Sequence, residues 1–191
     1  RQYDAENDDY ALDIPFYVER AKRSGGPVLE IGCGTGRVTL PIAREGIEIV
    51  GLDVAPAMLA RLRDKAANEG LPIALVEADC RDFALDRPFP LIICPFSAMQ
   101  HLQERASIES FLDRIRGHLA AGGSFIFDVF NPNVDILVSG AGGRVRMFTY
   151  TDEESGEEVF VEEMTDYDDA AQVSHITWYC TGGGSGEIRE E

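Results

Sequence analysis

The feature that most constrains this fold is a cluster of three glycines directly after a short apolar segment. Residues 28–31 read VLEI, and residues 32–36 read GCGTG. Glycines at the end of a strand let the backbone turn sharply and pass close to a ligand. An apolar pattern of helical spacing follows at 37–45, where Val38 and Ile42 lie about one turn apart. This stretch therefore predicts a strand, a tight glycine turn and a helix.

The same alternation of strand and helix runs through the first two thirds of the chain. Apolar runs predict strands at 28–31, 47–52, 73–76, 91–94 and 124–129. Helical spacing of apolar residues predicts helices at 9–23, 37–45, 56–69 and 104–120. The strands are apolar nearly throughout, which is typical of parallel strands that are covered on both faces. The pattern predicts a doubly wound, mostly parallel α/β sheet with helices on both faces.

After about residue 140 the pattern changes. Residues 144–151, 158–167 and 173–180 read as β segments joined by turns, which predicts an appended antiparallel β meander. Residues 152–169 contain ten carboxylates and no Lys or Arg, which indicates either a solvated, charged sheet edge or a rim that attracts cations. We expect two domains: a core with an N-terminal helical lid at 1–140, and a β extension with a flexible Gly-rich tail at 141–191.

The charge and the cysteines narrow the class of partner and the compartment. Asp and Glu number 34 and Lys and Arg 17, which gives a formal net charge of −17. Such a field repels a phosphate backbone, so we expect no nucleic acid and a neutral or cationic small substrate. The alternative is that the charge only keeps the protein dissolved. The four cysteines form no CxxC pair and no cluster with histidines, which indicates no metal site and reduced, cytoplasmic thiols.

The hydropathy and the chain start complete this outline. No apolar run approaches the ~18 residues that a membrane helix needs, and no leader pattern precedes the first helix. The chain begins at Arg1 rather than Met, which suggests that it starts inside a longer product.

Asp53 is the second strong signal, because it stands about 20 residues after the glycine turn, at the end of the second strand. An acid in this place accepts hydrogen bonds from two ribose hydroxyls. The alternative is a strand-end turn residue or a helix cap. Dinucleotide enzymes favour GxGxxG, but the third glycine of that pattern is replaced here by Arg37, which opposes a nicotinamide cofactor.

Four segments, in order and on the expected strands, resemble the class I S-adenosylmethionine-dependent methyltransferases. They read VLEIGCGTGRVTLPIA at 28–43, VGLDVAPAMLARL at 50–62, VEADCRDF at 76–83 and LIICPFSAMQHL at 91–102. The resemblance covers roughly residues 26–133. It implies a Rossmann-like sheet, the cofactor S-adenosylmethionine with S-adenosylhomocysteine as product, and methyl transfer to a small-molecule acceptor by in-line displacement. The alternative is a module that binds this cofactor without turnover.

The resemblance also implies a set of cofactor-binding residues. These are Glu30, Gly32, Cys33, Gly34, Gly36, Asp53, Val54, Met58, Asp79, Cys80 and Cys94. The three glycines would pass beside the methionine part and Glu30 would help to hold its amino group, while the Cys94 carbonyl would face the ammonium. Asp53 would take the ribose hydroxyls. The remaining members would surround the adenine, with Asp79 as the acceptor for its amino group beside the Cys80 backbone and the apolar side chains of Val54 and Met58 against the ring.

The sequence departs from the family pattern in three places. Ala55 stands where a serine often caps the next helix, and Pro90 stands where the fourth strand often begins with aspartate. The sixth and seventh strands that usually complete the sheet are missing from the predicted pattern. We therefore expect either a truncated chain or a partner that completes the sheet.

The substrate side is less defined. His101 is the candidate catalytic base or substrate contact, with a capping or structural role as the alternative. Gln100 is a candidate cofactor or substrate contact. Tyr3, Tyr10 and Tyr17 would form a lid or simply pack, and Asn131 and Asn133 would border the substrate or form a turn. The meander resembles inserts in small-molecule methyltransferases, sugar-amine and glycine N-methylating enzymes among them, which implies a pocket wall or a homodimer contact.

Overall fold

The structure, a computed structural model, describes residues 3–4, 10–131, 143–152, 155–182 and 187–190, the last segment by its backbone alone. The chain divides into two compact units. One comprises Asp8–Phe130, and the other comprises Arg1–Asn7 together with Asn131–Glu191. The domain boundary expected at residue 140 stays a prediction.

The first unit is a five-stranded parallel sheet in the order β3-β2-β1-β4-β5. Its elements are α1 (Ile14–Ser24), β1 (Val28–Ile31), α2 (Thr39–Arg44), β2 (Ile49–Asp53), α3 (Pro56–Glu69), β3 (Ala74–Glu77), β4 (Phe89–Cys94), a 3-10 helix (Ala98–His101), α4 (Arg105–His118) and β5 (Leu119–Phe127). This topology confirms the predicted doubly wound α/β fold. The strand order reverses between β1 and β4, and ligands of such sheets bind in the crevice outside the carboxyl ends at this switch point.

Burial follows the place of each strand in the sheet. The three central strands, β1, β2 and β4, are buried along nearly their whole length, whereas the edge strands β3 and β5 are half-exposed. Successive residues alternate between two core clusters, because strand side chains point to opposite faces. Leu29 packs in the cluster that α4 covers with Phe111, and Val28 packs in the cluster that α1 and α2 cover with Ala21 and Ile42.

Two predicted boundaries are wrong by five residues. The first helix begins at Ile14 rather than at residue 9, with Pro15 in its first turn, where the missing N–H of proline is tolerated. The fifth strand begins at Leu119 rather than at 124. Its register with β4 shifts at Pro90, which has no N–H to donate, and a Cβ on Gly123 would lie only 3.0 Å from the Pro90 carbonyl oxygen.

The second unit contains a four-stranded antiparallel sheet in the order β6-β7-β8-β9. Its strands are β6 (Val145–Thr151), β7 (Glu158–Asp168), β8 (Val173–Gly182) and β9 (Glu187–Glu190). The predicted meander is confirmed, and it is longer than expected because β9 pairs with β8 inside the predicted flexible tail. Val159, Val161, Trp178 and Cys180 are the buried residues of its apolar cluster.

Among all described residues, no helix is both long and apolar enough to cross a bilayer.

His118 links the end of α4 to the loop between β3 and β4. It ends α4, is buried and stacks on Phe83 with 4.5 Å between ring centroids. Its Nε2 accepts from the Leu85 backbone N–H at 2.9 Å, so Nδ1 carries the proton and donates to the Arg114 carbonyl at 2.7 Å. Both ring nitrogens therefore satisfy backbone groups.

We predict that His118→Leu lowers the free energy of unfolding by about 1–3 kcal/mol, because the Leu85 N–H loses its acceptor. The change should appear as a lower urea midpoint. The matched control is His175→Leu at an exposed histidine, which should leave the midpoint nearly unchanged. Equal midpoints for both variants would contradict this role of His118.

Candidate functional site

The loop after β1 presents bare backbone at the carboxyl edge of the sheet. Gly32, Gly34 and Gly36 have φ values of 69°, 52° and 94°, in the left-handed region that favours glycine. A Cβ added to Gly32 would lie 2.9 Å from the Cβ of Ala98, at the start of the 3-10 helix. The main chain of this loop is therefore close-packed on one side, while Gly32 itself is exposed. A ligand can approach the peptide groups here without meeting a side chain.

Asp53 is oriented by two backbone donors. Its Oδ2 accepts from the Gly34 N–H and its Oδ1 from the Ala55 N–H, both at 2.8 Å. Ala55 itself supplies no side-chain cap to α3, so Asp53 makes the turn into that helix. A carboxylate offers about four lone-pair sites, and the two N–H groups leave about one on each oxygen. Asp53 is thus held with both oxygens able to accept a further donor, as the two hydroxyls of a diol would require.

An apolar surface follows Asp53. The next residue, Val54, is a strand-end valine whose side chain is 67% exposed. Met58, in the first turn of α3, is half-buried. An exposed and a half-buried apolar side chain next to an oriented acid suit a ligand that joins a flat ring to a sugar.

Glu30 is a buried acid on the central strand β1. Its Oε2 accepts from the Thr39 hydroxyl at 2.6 Å. Burial raises the pKa of Glu30 to about 8, an effect that the Thr39 hydrogen bond and the charge of Arg37 only partly offset. At neutral pH the protonated form therefore prevails, and a cationic ligand group placed beside Glu30 would favour the ionised form.

Asp79 follows β3 and is held by a neighbour. Its Oδ1 accepts from the Arg81 backbone N–H at 2.8 Å and from Nε at 2.9 Å, and Nη2 of the same side chain donates to Oδ2. These hydrogen bonds from Arg81 lower the pKa of Asp79 to about 2. Asp79 is therefore a permanent acceptor at physiological pH. Cys80 beside it is half-buried, and burial raises the pKa of its thiol.

Cys33 and Cys94, the other two cysteines of the predicted set, have buried side chains. Cys33 is buried, and its Sγ lies where a Cβ on Gly51 would meet it at 2.9 Å. Cys94 ends β4 and is also buried. Burial raises the pKa of both thiols, that of Cys94 to about 12, so both are neutral and poorly nucleophilic.

Asp128 is a polar centre that the sequence reasoning missed. Its Oδ2 accepts from the Tyr17 hydroxyl at 2.6 Å and from the Phe96 N–H at 2.8 Å, and its Oδ1 accepts from the Ser97 N–H at 2.6 Å. Phe96 and Ser97 both have a φ of 58°, which is rare for residues with a side chain. The carboxylate thus holds an unfavourable backbone conformation in the loop after β4. A lone acid directly after an apolar strand was the available signal.

Arg37 is the second residue whose role was missed. Its Nη1 and Nη2 donate to the two oxygens of Asp13 at 2.6 and 2.8 Å, and Nη1 also donates to the Tyr10 carbonyl at 3.0 Å. The guanidinium carbon lies 4.5 Å from the ring centroid of Phe96 and 5.4 Å from that of Tyr10. Arg37 stands where a dinucleotide enzyme would have glycine. Its side chain instead binds the segment before α1.

The other candidates fall in different places. His101 is exposed at the end of the 3-10 helix. The side-chain amide of Gln100 is engaged with the Phe130 backbone, donating to its carbonyl and accepting from its N–H, which gives Gln100 a structural contact. Tyr3 and Asn131 belong to the other unit, and Asn133 lies outside the described residues. In the described part of the chain, no group of His, Cys, Asp or Glu is arranged to hold a metal ion.

Comparison with known proteins identifies relatives of this chain. A sequence model described as a methyltransferase domain matches residues 28–123, just over half of the chain. The dTDP-3-amino-3,6-dideoxy-alpha-D-glucopyranose N,N-dimethyltransferase of Streptomyces fradiae is 29% identical over 118 residues, which are 62% of this chain and 45% of that protein. The cypemycin N-terminal methyltransferase of a Streptomyces species is 30% identical over 126 residues, 66% of this chain and 49% of that protein. The chain thus spans about half the length of these curated relatives.

Solved structures resemble the chain over nearly its whole length. The sugar N-methyltransferase KedS8 of Streptoalloteichus matches with a TM-score of 0.77 and 20% identity, covering 99% of this chain and 73% of that one. The CcbJ methyltransferase of Streptomyces caelestis matches with a TM-score of 0.70 and 26% identity, covering 94% and 75%. The first likeness shows the fold alone, because its identity is low.

Glu30 generates a prediction about pH. Its pKa is raised in the folded state, so the folded protein binds more protons than the unfolded chain between about pH 4.5 and 8. The stabilisation from protonated Glu30 is complete below the unfolded pKa and is lost as the pH rises through about 8. The free energy of unfolding should fall by at most about 1.4 kcal/mol per pH unit from this group.

Glu30→Gln should remove this pH dependence, so the difference in stability between variant and wild type should grow in favour of the variant from pH 5 to pH 8. Urea denaturation at several pH values measures it. Glu109→Gln, at an exposed carboxylate on α4, is the control and should keep the wild-type pH profile. Parallel profiles for wild type and Glu30→Gln would contradict the raised pKa.

Proposed function

The chain belongs to the methyltransferase domain family, and from this membership we propose that it transfers a methyl group from S-adenosylmethionine to a small-molecule acceptor. The observation that carries the proposal is the pairing of the bare glycine loop with Asp53, whose two oxygens are oriented by the Gly34 and Ala55 N–H groups. S-adenosylmethionine needs both features at once. Its ribose diol requires two hydrogen-bond acceptors, and its methionine part passes beside the glycine loop.

The chemistry of the surrounding side chains supports this cofactor. Asp53 would accept from the ribose hydroxyls, and Val54 and Met58 would pack on the adenine. Asp79, kept ionised by Arg81, would accept from the adenine amino group beside the Cys80 backbone. Glu30 would hold the amino group of the methionine end, with the loop of Gly32, Cys33, Gly34 and Gly36 and the Cys94 carbonyl nearby.

When bound, S-adenosylmethionine supplies a methyl group that its sulfonium already activates. The chain's own part is then to orient the acceptor and to exclude water, and orientation alone supplies several kcal/mol of a barrier. Asp128 serves this by fixing the loop after β4 through Phe96 and Ser97. His101 is our candidate for a base or an acceptor contact, since a base is needed only where the acceptor starts protonated.

The acceptor is proposed to be a neutral or cationic small molecule. The net charge of −17 disfavours phosphate-rich partners such as nucleic acids. The curated relatives named above are an amino-sugar N,N-dimethyltransferase and the cypemycin N-terminal methyltransferase, which supports an amine among the acceptors.

We propose further that residues 1–140 form the cofactor-binding domain and that residues 141–191 form a β extension that mediates a homodimer. The β6–β9 sheet supports a separate role for the second segment. Cys33, Cys80 and Cys94 are free thiols, two of them buried, which supports a reducing, cytoplasmic location.

Cofactor binding is predicted to depend on Asp53. Isothermal calorimetry with S-adenosylhomocysteine should detect binding to the wild-type chain, and Asp53→Ala should weaken it by about a hundredfold or more, since two charge-assisted hydrogen bonds are lost. Asp64→Ala, at an exposed acid on α3, is the matched control and should bind like the wild type. Undiminished affinity in Asp53→Ala would contradict the proposed ribose site.

Turnover is predicted with an amine or hydroxyl acceptor. The wild-type chain, S-adenosylmethionine and a panel of amines and hydroxylated metabolites should yield S-adenosylhomocysteine above the acceptor-free rate for at least one acceptor. Chromatography of the product measures this. Cofactor binding without turnover of any acceptor would instead support a module that binds the cofactor only.

A further inference from the structure

Residues 10–17, which we call the N-terminal strap, are fastened to three different loops at the carboxyl edge of the parallel sheet. Asp13 contacts Arg37 after the loop of β1, and Tyr10 packs on Phe96 after β4 with 5.5 Å between ring centroids. Tyr17 donates to Asp128 after β5. Since β1, β4 and β5 are neighbours in the sheet, the strap spans the β1–β4 switch point.

Arg37 makes most of these contacts. Its guanidinium forms a two-pronged ion pair with Asp13, donates to the Tyr10 carbonyl and lies over the rings of Tyr10 and Phe96. The Arg37 side chain is only 9% exposed and that of Asp13 22%. Charge-assisted hydrogen bonds are roughly twice as strong as neutral ones, and removing one partner of a pair that is shielded from water is costly. A lysine cannot reproduce the fork geometry of the guanidinium.

The strap leaves the other half of the carboxyl edge to different groups. Asp53 ends β2 and Asp79 follows β3, and these two strands lie on the far side of β1 from β4. In the proposed function those two acids hold the nucleoside. The strap contacts instead fall on the half where the glycine loop, Glu30 and Cys94 would receive the methionine end.

The Arg37 geometry points to a positioning role, and this inference rests on the proposed function: through Asp13 and Tyr10, Arg37 closes the strap over the methionine end of the cofactor and sets the rate at which the cofactor leaves. Departure requires the strap to open, which breaks the ion pair and both ring contacts. A weaker clasp therefore speeds dissociation while leaving the pocket's binding groups in place.

The test compares two variants of the clasp with a matched control. Asp13→Asn removes the charge of the pair, and Arg37→Lys keeps the charge but loses the fork. The control is Glu69→Gln, which breaks the similar two-pronged pair between Arg44 and Glu69. Those residues end α2 and α3, so they lie at the amino edge of the sheet, away from the strap.

Surface plasmon resonance on the full chain, with S-adenosylhomocysteine as the probe, measures the association and dissociation rate constants. Thermal melting shows whether each variant folds. If Asp13→Asn does not fold, Arg37→Lys provides the test. We expect both clasp variants to dissociate about 5–100 times faster than the wild type, with association changed less than about threefold. The two effects should combine to less than their product in the double variant, because both substitutions weaken the same ion pair.

Unchanged dissociation in both variants, with a wild-type chain that binds, would overturn the role of Arg37 and leave the proposed function standing. Slower association at a wild-type dissociation rate would also overturn it, since the substitutions would then act on cofactor entry and not on the clasp that retains it. Absence of binding to the wild-type chain would overturn the proposed function, and this inference with it.

Discussion

The hydrogen bond from the Gly34 N–H to the Asp53 carboxylate joins two chain segments on which the whole carboxyl edge depends. It ties the loop after β1 to the end of β2, while the second oxygen of Asp53 turns the chain into α3 through the Ala55 N–H. One acid therefore fixes the glycine loop and the entry of the next helix. It does so while each oxygen keeps a lone pair for a ligand, so the fold and the binding site share one residue.

Charge is managed at this edge by burial and by close partners. Glu30 is buried with one hydroxyl donor and is largely protonated at neutral pH, whereas Asp79 is held ionised by Arg81. Asp128 accepts hydrogen bonds from Tyr17, Phe96 and Ser97, and Arg37 is paired with Asp13. Because each of these side chains has a fixed partner, the groups need little rearrangement when a ligand arrives. A reaction whose methyl group is already activated asks the protein mainly for this kind of fixed orientation.

Local patterns predicted the fold well, and they predicted the long-range contacts poorly. The central strands were evident because both of their faces are buried, so their residues are apolar without interruption. The start of β5 was missed because Gly122 and Gly123 read as a helix end, while the strand tolerates them opposite the break that Pro90 makes in its partner. The strand β9 was missed because a Gly-rich tail gives no local signal of the pairing with β8.

The same difference between local patterns and long-range contacts decides which residues of the site could be predicted from the sequence. Asp53 was found because its distance from the glycine turn follows from one β-α-β unit. Tyr17 and Asp128 are 111 residues apart, and no spacing rule connects them. Arg37 was noticed only as a residue that is not glycine, since its partner Asp13 precedes the first helix and carries no pattern of its own. Contacts between loops depend on the assembled sheet, which brings the ends of distant strands together.

A crystal structure of the chain with S-adenosylhomocysteine tests the central claim most directly. The arrangement described above predicts the ribose hydroxyls within hydrogen-bond distance of both Asp53 oxygens, the adenine beside Val54 and Asp79, and the amino acid end between the glycine loop and the N-terminal strap. A ligand bound elsewhere, or bound at this edge without contact to Asp53, would contradict it.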